Sequence, residues 1–342
     1  MKRSVVTIDL GALRHNVARM RAAAADADLW AVVKGDAYGH GAADVARAAL
    51  AAGARALCVA TVGEGSSLRR LFREPRIVVM GPLAPGEERT ARAEGLEVTA
   101  VTPDVPTGLP VHLKVDTGMG RWGMSPADAL AAPRDDVVGI MSHLATADLD
   151  AAFVETQLER FVGLAAQFPG AVRHVANSAA TLRVPAARFD AVRCGIALYG
   201  LSPFPGGDPA DDGLEPVLRW ESYVAAEKTL APGESTGYGR RFVAERDEPI
   251  GIVPLGYADG FRRGLTGTEV LVDGERRRVV GTVSMDAFAV ERGGARLGAP
   301  VTVIGDGVRA EEHADHLGTV NYEITCAICT QPERAERRVV GG

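Results

Sequence analysis

The sequence predicts an α/β fold in which an N-terminal (β/α)8 barrel of the TIM type precedes a mainly antiparallel β domain. Up to about residue 200, eight short β-rich runs alternate with helical stretches, which is typical of a parallel sheet. Beyond about residue 213, the chain changes to β-runs with alternating side chains and tight turns. A doubly wound sheet would show the same alternation, and the count of eight runs favours the barrel.

The eight strand candidates are apolar and rich in β-branched residues, with helical stretches between them. HGAADVARAALAAG (40–53) and AAFVETQLERFVGLAAQF (151–168) repeat apolar residues at spacings of three and four, which indicates amphipathic helices. The strands are LWAVVK (29–34), ALCVA (56–60), IVVM (77–80), EVTAV (97–101), VHLKVDT (111–117), GIMSHL (139–144), HVANS (174–178) and VRCGIALYG (192–200).

A loop separates the two predicted domains. SPFPGGDPADDG (202–213) is rich in residues that break regular structure, which is typical of a linker. We therefore expect a barrel over residues 8–213 and a β-rich domain over 214–342, with residues 1–7 joining the second domain as a strand. Within that domain, Asp273-Gly274 between apolar runs predicts a hairpin, and a short helix is expected near 310–317.

Charge and hydropathy exclude several classes of function. The net charge of -6 and the lack of a face rich in Lys and Arg argue against a nucleic-acid partner. No run approaches the roughly 20 apolar residues that span a bilayer, so no membrane partner is expected. The apolar run at the start is too short for a signal peptide and contains Asp9. The sequence thus predicts a cytoplasmic protein.

Cysteine and histidine spacing predicts no metal site. Cys326 and Cys329 form a CxxC, but a zinc site would need a second ligand pair at similar spacing. The surrounding TCAIC resembles an apolar strand, so we expect both thiols to pack in the core. His313 and His316 fall in a polar helical stretch, and we expect them on its solvated face.

Lys34 is the first candidate for chemistry, because the chain has only four lysines among 38 basic residues. A lysine amine can form an imine with a carbonyl group, which a guanidinium cannot. Lys34 stands at the end of the first barrel strand, on the face where barrel enzymes build their active sites. Taken alone, Lys34 could equally be a solvent-facing lysine at a strand end.

Polar residues at other strand ends strengthen the case for a site at this face. Arg121 follows the fifth predicted strand, and the glycines around it let the backbone approach a ligand closely. The seventh predicted strand ends at Asn177 and Ser178, where a helix should begin, and the free N–H groups of a helix N-terminus suit an anion such as phosphate. The residues concerned are Arg121, His143, Asn177, Ser178, Arg193 and Gly195.

An ordered set of nine motifs resembles the alanine racemase family over about residues 5 to 334. The motifs are AVVKGDAYGHG, DTGMGRWG, SHLATAD, HVANSAATL, RCGIALYG, STGYGRRF, GYADG, GTVSMD and NYEI. The resemblance implies a barrel that binds pyridoxal 5'-phosphate (PLP), a β-rich C-terminal domain, and a head-to-tail homodimer whose active site is shared between subunits.

The resemblance also implies roles for individual residues. Lys34 is similar to the lysine that carries PLP and acts as one acid/base group, and Tyr238 is similar to the opposite base, supplied by the other subunit. Arg193 resembles the arginine that faces the pyridine nitrogen, with His174 supporting it and His143 linking it to Tyr238. The implied phosphate site comprises Tyr38, Ser178, Tyr322 and the backbone of Gly195 and Ile196, and Asn177 is a further cofactor-binding candidate.

Substrate handling is implied for a further set of residues. Arg121 and the backbone N–H of Met285 match positions that orient the substrate carboxylate, with Asp286 beside them. Lys114 is similar to a lysine that is often carbamylated and holds Arg121. Tyr257 and Arg263 match family positions at the entrance of the substrate channel. Thr282 stands at a channel position where the family often has arginine.

The resemblance therefore implies a racemase that interconverts L- and D-alanine by a two-base mechanism and supplies D-alanine for peptidoglycan. A serine racemase or a racemase of broad specificity is the alternative within the class. Outside it, a non-catalytic PLP-binding homeostasis protein would resemble the barrel alone, and a barrel-type PLP decarboxylase would be longer and carry a cysteine in its second-domain motif.

Overall fold

The computed structural model describes residues 2–342 and divides the chain into two compact units. One unit is Ala12–Glu215. The other combines Pro216–Gly342 with the first residues through Gly11, which include strand β1 (Ser4–Asp9).

The unit Ala12–Glu215 contains eight parallel strands that close into a barrel. The strands are β2 (Asp28–Val32), β3 (Ala56–Val59), β4 (Arg76–Val79), β5 (Val98–Ala100), β6 (Val111–Lys114), β7 (Val137–Met141), β8 (Val172–His174) and β9 (Ala191–Cys194). Hydrogen bonds between neighbouring strands give two groups, in the orders β9-β2-β3-β4 and β5-β6-β7-β8.

Backbone hydrogen bonds join the two groups of strands at both junctions. Val79 N donates to Glu97 O at 2.8 Å beside β4 and β5, and Arg193 N donates to Ala176 O at 2.9 Å beside β8 and β9. The circle of strands is therefore complete, which confirms the predicted barrel over a doubly wound sheet. Every residue of β3 is buried, as expected for a parallel strand covered on both faces.

Helix α1 (Leu10–Ala24) precedes the first barrel strand, and further helices follow most of the barrel strands. These are α2 (Lys34–Tyr38), α3 (Ala42–Ala51), α4 (Val62–Arg69), α5 (Glu87–Ala93), α6 (Pro126–Ala131), α7 (Ala151–Ala165) and α8 (Ser178–Arg183). The Asp150 side chain caps α7 by accepting from Phe153 N. In the part of the chain that is described, no helix combines the length and apolar character needed to cross a membrane.

The other unit contains β1 and the following strands: β10 (Leu218–Tyr223), β11 (Ala226–Leu230), β12 (Ser235–Thr236), β13 (Phe242–Val243), β14 (Glu248–Val253), β15 (Glu269–Val272), β16 (Glu275–Val280), β17 (Phe288–Glu291), β18 (Pro300–Ile304) and β19 (Ala335–Val340). β12 and β13 pair with each other, and the others form a nine-stranded sheet in the order β11-β14-β17-β16-β15-β18-β10-β1-β19. All neighbours in this sheet are antiparallel except β1 and β19, so the predicted antiparallel domain is confirmed.

The hairpin predicted at Asp273-Gly274 is confirmed. These two residues connect β15 to β16, and their φ angles are 54° and 81°. Positive φ at both central positions is the geometry of the two-residue turn that matches strand twist.

The prediction that Cys326 and Cys329 pack in an apolar strand is wrong. Cys326 is the last residue of helix α10 (Asn321–Cys326), which follows α9 (Ala310–Leu317), and its side chain is exposed. Asn321 Nδ2 donates to Glu311 Oε1 at 2.9 Å, which ties the first residue of α10 to α9, a contact that the local sequence pattern does not show. Among residues 2–342, no group of three or more His, Cys, Asp and Glu could hold a metal ion.

The expected solvation of the histidine pair is correct for His316 alone. His313 is 1% exposed, and its ring lies 5.9 Å from that of Phe261 in an edge-on contact. Burial lowers the pKa of His313 to about 4. The sequence of α9 did not predict a buried face, because the buried residues include no large apolar side chain. They are Ala310, Glu311, His313 and Ala314.

Phe261→Ala should destabilise the β-rich unit, because Phe261 is fully buried and stacks on Phe288 with ring centroids 4.3 Å apart. We expect the free energy of unfolding in urea to fall by about 3–5 kcal/mol. The control is Leu297→Ala, at a residue 65% exposed, which should change it by less than about 0.5 kcal/mol. Equal losses in the two variants would contradict this packing.

Candidate active site

Lys34 lies just beyond β2, at the first residue of a left-handed turn. Gly35, Asp36, Ala37 and Tyr38 have φ angles of 60°, 49°, 55° and 56°. Non-glycine residues in this region cost about 1–2 kcal/mol each. Such strain persists only where the surroundings hold the backbone, which is common at functional sites.

Two side chains hold this turn. Glu64 Oε1 accepts from Gly35 N at 2.8 Å, and Asp36 Oδ1 accepts from Ala42 N at 2.7 Å. Glu64 is itself placed by a capping box with Thr61 at the start of α4. Lys34 is therefore anchored by its neighbours along the chain and by α4.

Tyr38, Ser178, Gly195 and Ile196 come together beside β9. A Cβ at Gly195 would lie 2.6 Å from Tyr38 Oη, so any larger residue there would displace the Tyr38 side chain. Gly195 N donates to Ser178 Oγ at 3.1 Å, and the Tyr38 ring packs on Tyr199 with centroids 5.0 Å apart. Hydroxyl groups and backbone thus surround one small region of the barrel rim.

Asn177 positions the start of helix α8 through its side chain. Its Oδ1 accepts from Ala180 N at 2.9 Å, so Asn177 is the cap of the helix that begins at Ser178. The cap sets where Ser178 stands, and Ser178 Oγ also accepts from Ala197 N at 3.4 Å.

Arg193 is a buried cation surrounded by neutral acceptors. Arg193 is only 4% exposed, and its Nη1 donates to His174 Nδ1 at 2.8 Å. Nη2 donates to Ser142 O at 2.8 Å and to His143 Nδ1 at 3.4 Å. Burial lowers the pKa of Arg193 to about 10, which leaves it protonated at neutral pH.

The positive charges at the rim act on one another. Burial and the charges of Arg193, Arg121 and Lys34 lower the pKa of Lys114 to about 8. Burial and Arg193, followed by Lys114, Arg121 and Lys34, lower the pKa of His143 well below its ordinary value. The cations from different strand ends therefore share one region, and such a cluster favours an anionic ligand.

The loop that carries Arg121 is organised by two residues that sequence reasoning missed. Asp116 Oδ1 accepts from the backbone N–H groups of Gly118 and Met119 at 2.8 Å each. Trp122 lies 5.4 Å from Lys114 Nζ and 5.6 Å from the Arg121 guanidinium carbon, measured to its ring centroid. The aspartate at the head of a glycine-rich loop was the available signal for the first contact.

In the β-rich unit, Tyr238 projects from a short turn and is 72% exposed. Thr282 Oγ1 donates to Tyr238 O at 2.8 Å, and a Cβ at Gly237 would lie 2.6 Å from Thr282 N. Thr282, expected at a channel position, thus holds the backbone that presents Tyr238. Nothing in its sequence motif indicated this contact.

Tyr257, Met285 and Asp286 lie on two loops of this unit that touch. Tyr257 N donates to Ser284 O at 3.1 Å, and a Cβ at Gly256 would lie 2.5 Å from Met285 O. Arg334 Nη2 donates to Asp286 Oδ1 at 3.2 Å.

The two remaining candidates of this unit lie on separate elements. Tyr322 lies on α10, and Arg263 begins the short helical turn Arg263–Leu265.

Replacing Lys114 should change how stability depends on pH. Its folded pKa of about 8 lies below its ordinary 10.5, so between these values the unfolded chain binds more protons and stability rises with pH. In cofactor-free protein and carbonate-free buffer, Lys114→Met should reduce the rise in unfolding free energy from pH 8 to 10. Lys228→Met, at an exposed residue, is the control. The same rise in both variants would contradict the charge cluster.

Both halves of the chain match models of one family. Residues 8–203 match the alanine racemase N-terminal domain, and residues 217–337 match the alanine racemase C-terminal domain. The alanine racemase of Symbiobacterium thermophilum is 38% identical, with 98% of this chain and 97% of that protein covered.

Solved structures agree over the full length. The alanine racemase of Streptomyces lavendulae superposes with a TM-score of 0.93 at 36% identity, covering 100% of this chain and 98% of that chain. That of Bartonella henselae, described with covalently bound pyridoxal phosphate, has a TM-score of 0.90 at 26% identity, with coverage of 98% and 99%.

The barrel residues fit this cofactor. A small cradle that excludes a Cβ at Gly195 suits a compact group, the cations around Arg193 suit its anionic charge, and Lys34 supplies an amine. The chain belongs to the alanine racemase family, and it is a pyridoxal-phosphate-dependent isomerase that interconverts L- and D-alanine.

Proposed function

We propose that Lys34 and Tyr238 perform the two proton transfers of alanine racemisation, with Tyr238 supplied by a partner subunit. The observation that carries this is the position of Lys34 just beyond β2, where its charge is among those that, with burial, lower the pKa of Lys114 and of His143. Inversion at a carbon needs a base on one face and an acid on the other. Lysine and tyrosine side chains can each take either role.

Pyridoxal phosphate would be held covalently by Lys34, and when bound it takes up the negative charge that develops as the substrate Cα loses a proton. The phosphate group would be bound by residues of the Gly195 cradle and of α10. These residues are Tyr38, Asn177, Ser178, Tyr322 and the backbone of Gly195 and Ile196.

Arg193 would donate a hydrogen bond to the pyridine nitrogen. Its Nη1 is already engaged by His174, and its Nη2 lies 3.4 Å from His143 Nδ1. Because Arg193 stays protonated, it acts as a donor throughout the reaction. His143 would connect Arg193 to the partner's Tyr238.

Arg121 and the backbone N–H of Met285 would orient the substrate carboxylate, with Asp286 beside it. A guanidinium can bind a carboxylate through two parallel hydrogen bonds, which fixes orientation as well as charge. Lys114, in carbamylated form, would hold Arg121, and Trp122 already contacts both side chains. Tyr257 and Arg263 would line the entrance for substrate.

The assembly would be a homodimer in which each active site uses both subunits. Tyr238 is a large aromatic side chain held 72% exposed by a glycine-flanked turn, as expected of a residue that acts on a partner. We place the enzyme in the cytoplasm, where its D-alanine would supply peptidoglycan synthesis.

Racemisation can be tested by chiral chromatography of the PLP-loaded protein. Incubated separately with L-Ala, L-Ser, L-Lys and L-Glu, it should form D-Ala fastest, and Lys34→Ala should abolish the product and the covalent cofactor. A faster rate on L-Ser would make the enzyme a serine or broad-specificity racemase. Covalent cofactor without any racemisation would contradict the proposed proton transfers.

The shared active site can be tested by mixing two inactive variants. Lys34→Ala and Tyr238→Phe homodimers should regain activity when subunits exchange, because one site of each heterodimer then has both Lys34 and Tyr238. The control is the same mixture with exchange prevented by cross-linking. Mass spectrometry verifies that the subunits have exchanged. If activity still does not recover, Tyr238 acts within its own subunit.

A further inference from the structure

A continuous chain of hydrogen bonds runs from Arg193 through the barrel interior to Glu97. Arg193 Nη1 contacts His174 Nδ1 at 2.8 Å, and His174 Nε2 contacts His112 Nδ1 at 2.9 Å. His112 Nε2 then contacts Glu97 Oε2 at 2.8 Å. Both Glu97 oxygens also accept from Arg76, at 2.8 Å each.

The two ends of this chain determine every proton within it. A guanidinium can only donate and a carboxylate can only accept. His174 Nδ1 must therefore be the acceptor from Arg193, so neutral His174 carries its proton on Nε2. It donates this proton to His112 Nδ1, which leaves the His112 proton on Nε2, where it is donated to Glu97.

The environment keeps both imidazoles neutral and Glu97 ionised. Burial lowers the pKa of His112 and, together with Arg193, lowers that of His174 well below its ordinary value. Burial raises the pKa of Glu97, but hydrogen bonds from His112 and Arg76 outweigh it and bring the pKa to about 2. The fully buried Trp30 ring packs against this chain of hydrogen bonds, and its centroid lies 4.6 Å from that of the His174 ring.

We propose that Glu97 is a positioning residue of this racemase, which holds Arg193 in place by imposing the Nε2–H tautomer on His112 and His174. This inference rests on the proposed contact of Arg193 with the cofactor. Glu97 immediately precedes β5 and touches no reacting group, so its influence passes through the two histidines.

Glu97→Gln would disturb this order without removing the side chain. If the amide oxygen faces His112, the amide NH2 opposes the Arg76 guanidinium, and two donors meet. If the amide turns, its NH2 faces His112 Nε2, so the protons of His112 and then His174 move to Nδ1. The His174 proton then opposes Arg193 Nη1, and that hydrogen bond is lost.

The tautomers can be measured directly in holoenzyme labelled with 15N-histidine, which has seven histidines per chain. The signals of His112 and His174 are assigned by His112→Gln and His174→Gln. We expect both to carry the proton on Nε2 in the unsubstituted enzyme, and to gain an Nδ1–H form in Glu97→Gln. A proton on Nδ1 of either ring in the unsubstituted enzyme would overturn the proposal, even if Glu97→Gln did not fold.

Kinetics then tests whether the order matters for the reaction. We expect Glu97→Gln to lower kcat about tenfold, the size of one weakened hydrogen bond to a charged group, with KM changed less than about twofold because substrate contacts are intact.

The control is Asp190→Asn, which retains Glu97 and makes the same carboxylate-to-amide change in the bidentate pair of Asp190 with Arg173. This variant should keep the tautomers and kcat of the unsubstituted enzyme.

Arg193→Lys separates this inference from the proposed role of Arg193. A large loss of kcat in Arg193→Lys, with no effect in Glu97→Gln, would overturn the role of Glu97 alone. Full activity in both variants would overturn the proposed contact of Arg193 with the cofactor. A loss in both, with the tautomer change in Glu97→Gln, supports the whole chain.

Discussion

The active site depends on the burial of one positive charge, the Arg193 guanidinium. Its Nη1 and Nη2 lie within hydrogen-bonding distance of five neutral acceptors, which are His174 Nδ1, His143 Nδ1 and three backbone carbonyls; three of the five share the two hydrogens of Nη2. A buried charge costs several kcal/mol unless its hydrogen bonds are satisfied. Those acceptors come from the ends of β7 and β8, and Arg193 itself lies on β9, so the closed barrel is what makes a protonated guanidinium tolerable there.

The same constraint explains the electrostatics around Arg193. Burial lowers the pKa of His143, His174 and Lys114, and the poorly screened charge of Arg193 lowers all three further. Neutral histidines can then accept from Arg193, which a protonated imidazole cannot. The carboxylate that orders this network is Glu97, two rings away. A carboxylate in direct contact would neutralise the charge that an anionic cofactor needs.

Rigid backbone geometry places the remaining groups. The left-handed turn after Lys34 and the glycine at position 195 both put atoms where ordinary residues are disfavoured. Asp116 orders the loop of Arg121 through its backbone N–H groups, and Thr282 orders the turn of Tyr238. In each case a residue that takes no part in the reaction determines where a proposed reacting group stands.

The sequence by itself determined the two-part architecture, the eight barrel strands and the polar residues at their ends, because periodicity and strand order are local or sequential properties. It placed Lys34, Arg121, His143 and Arg193 on one rim, since parallel strands end on the same face. Only the tertiary structure decided three features: the hydrogen bonds that link Glu97 to Arg193, the burial of His313, and the helix that ends at Cys326. These depend on contacts between residues far apart in sequence, whose individual patterns are those of ordinary surface or core positions.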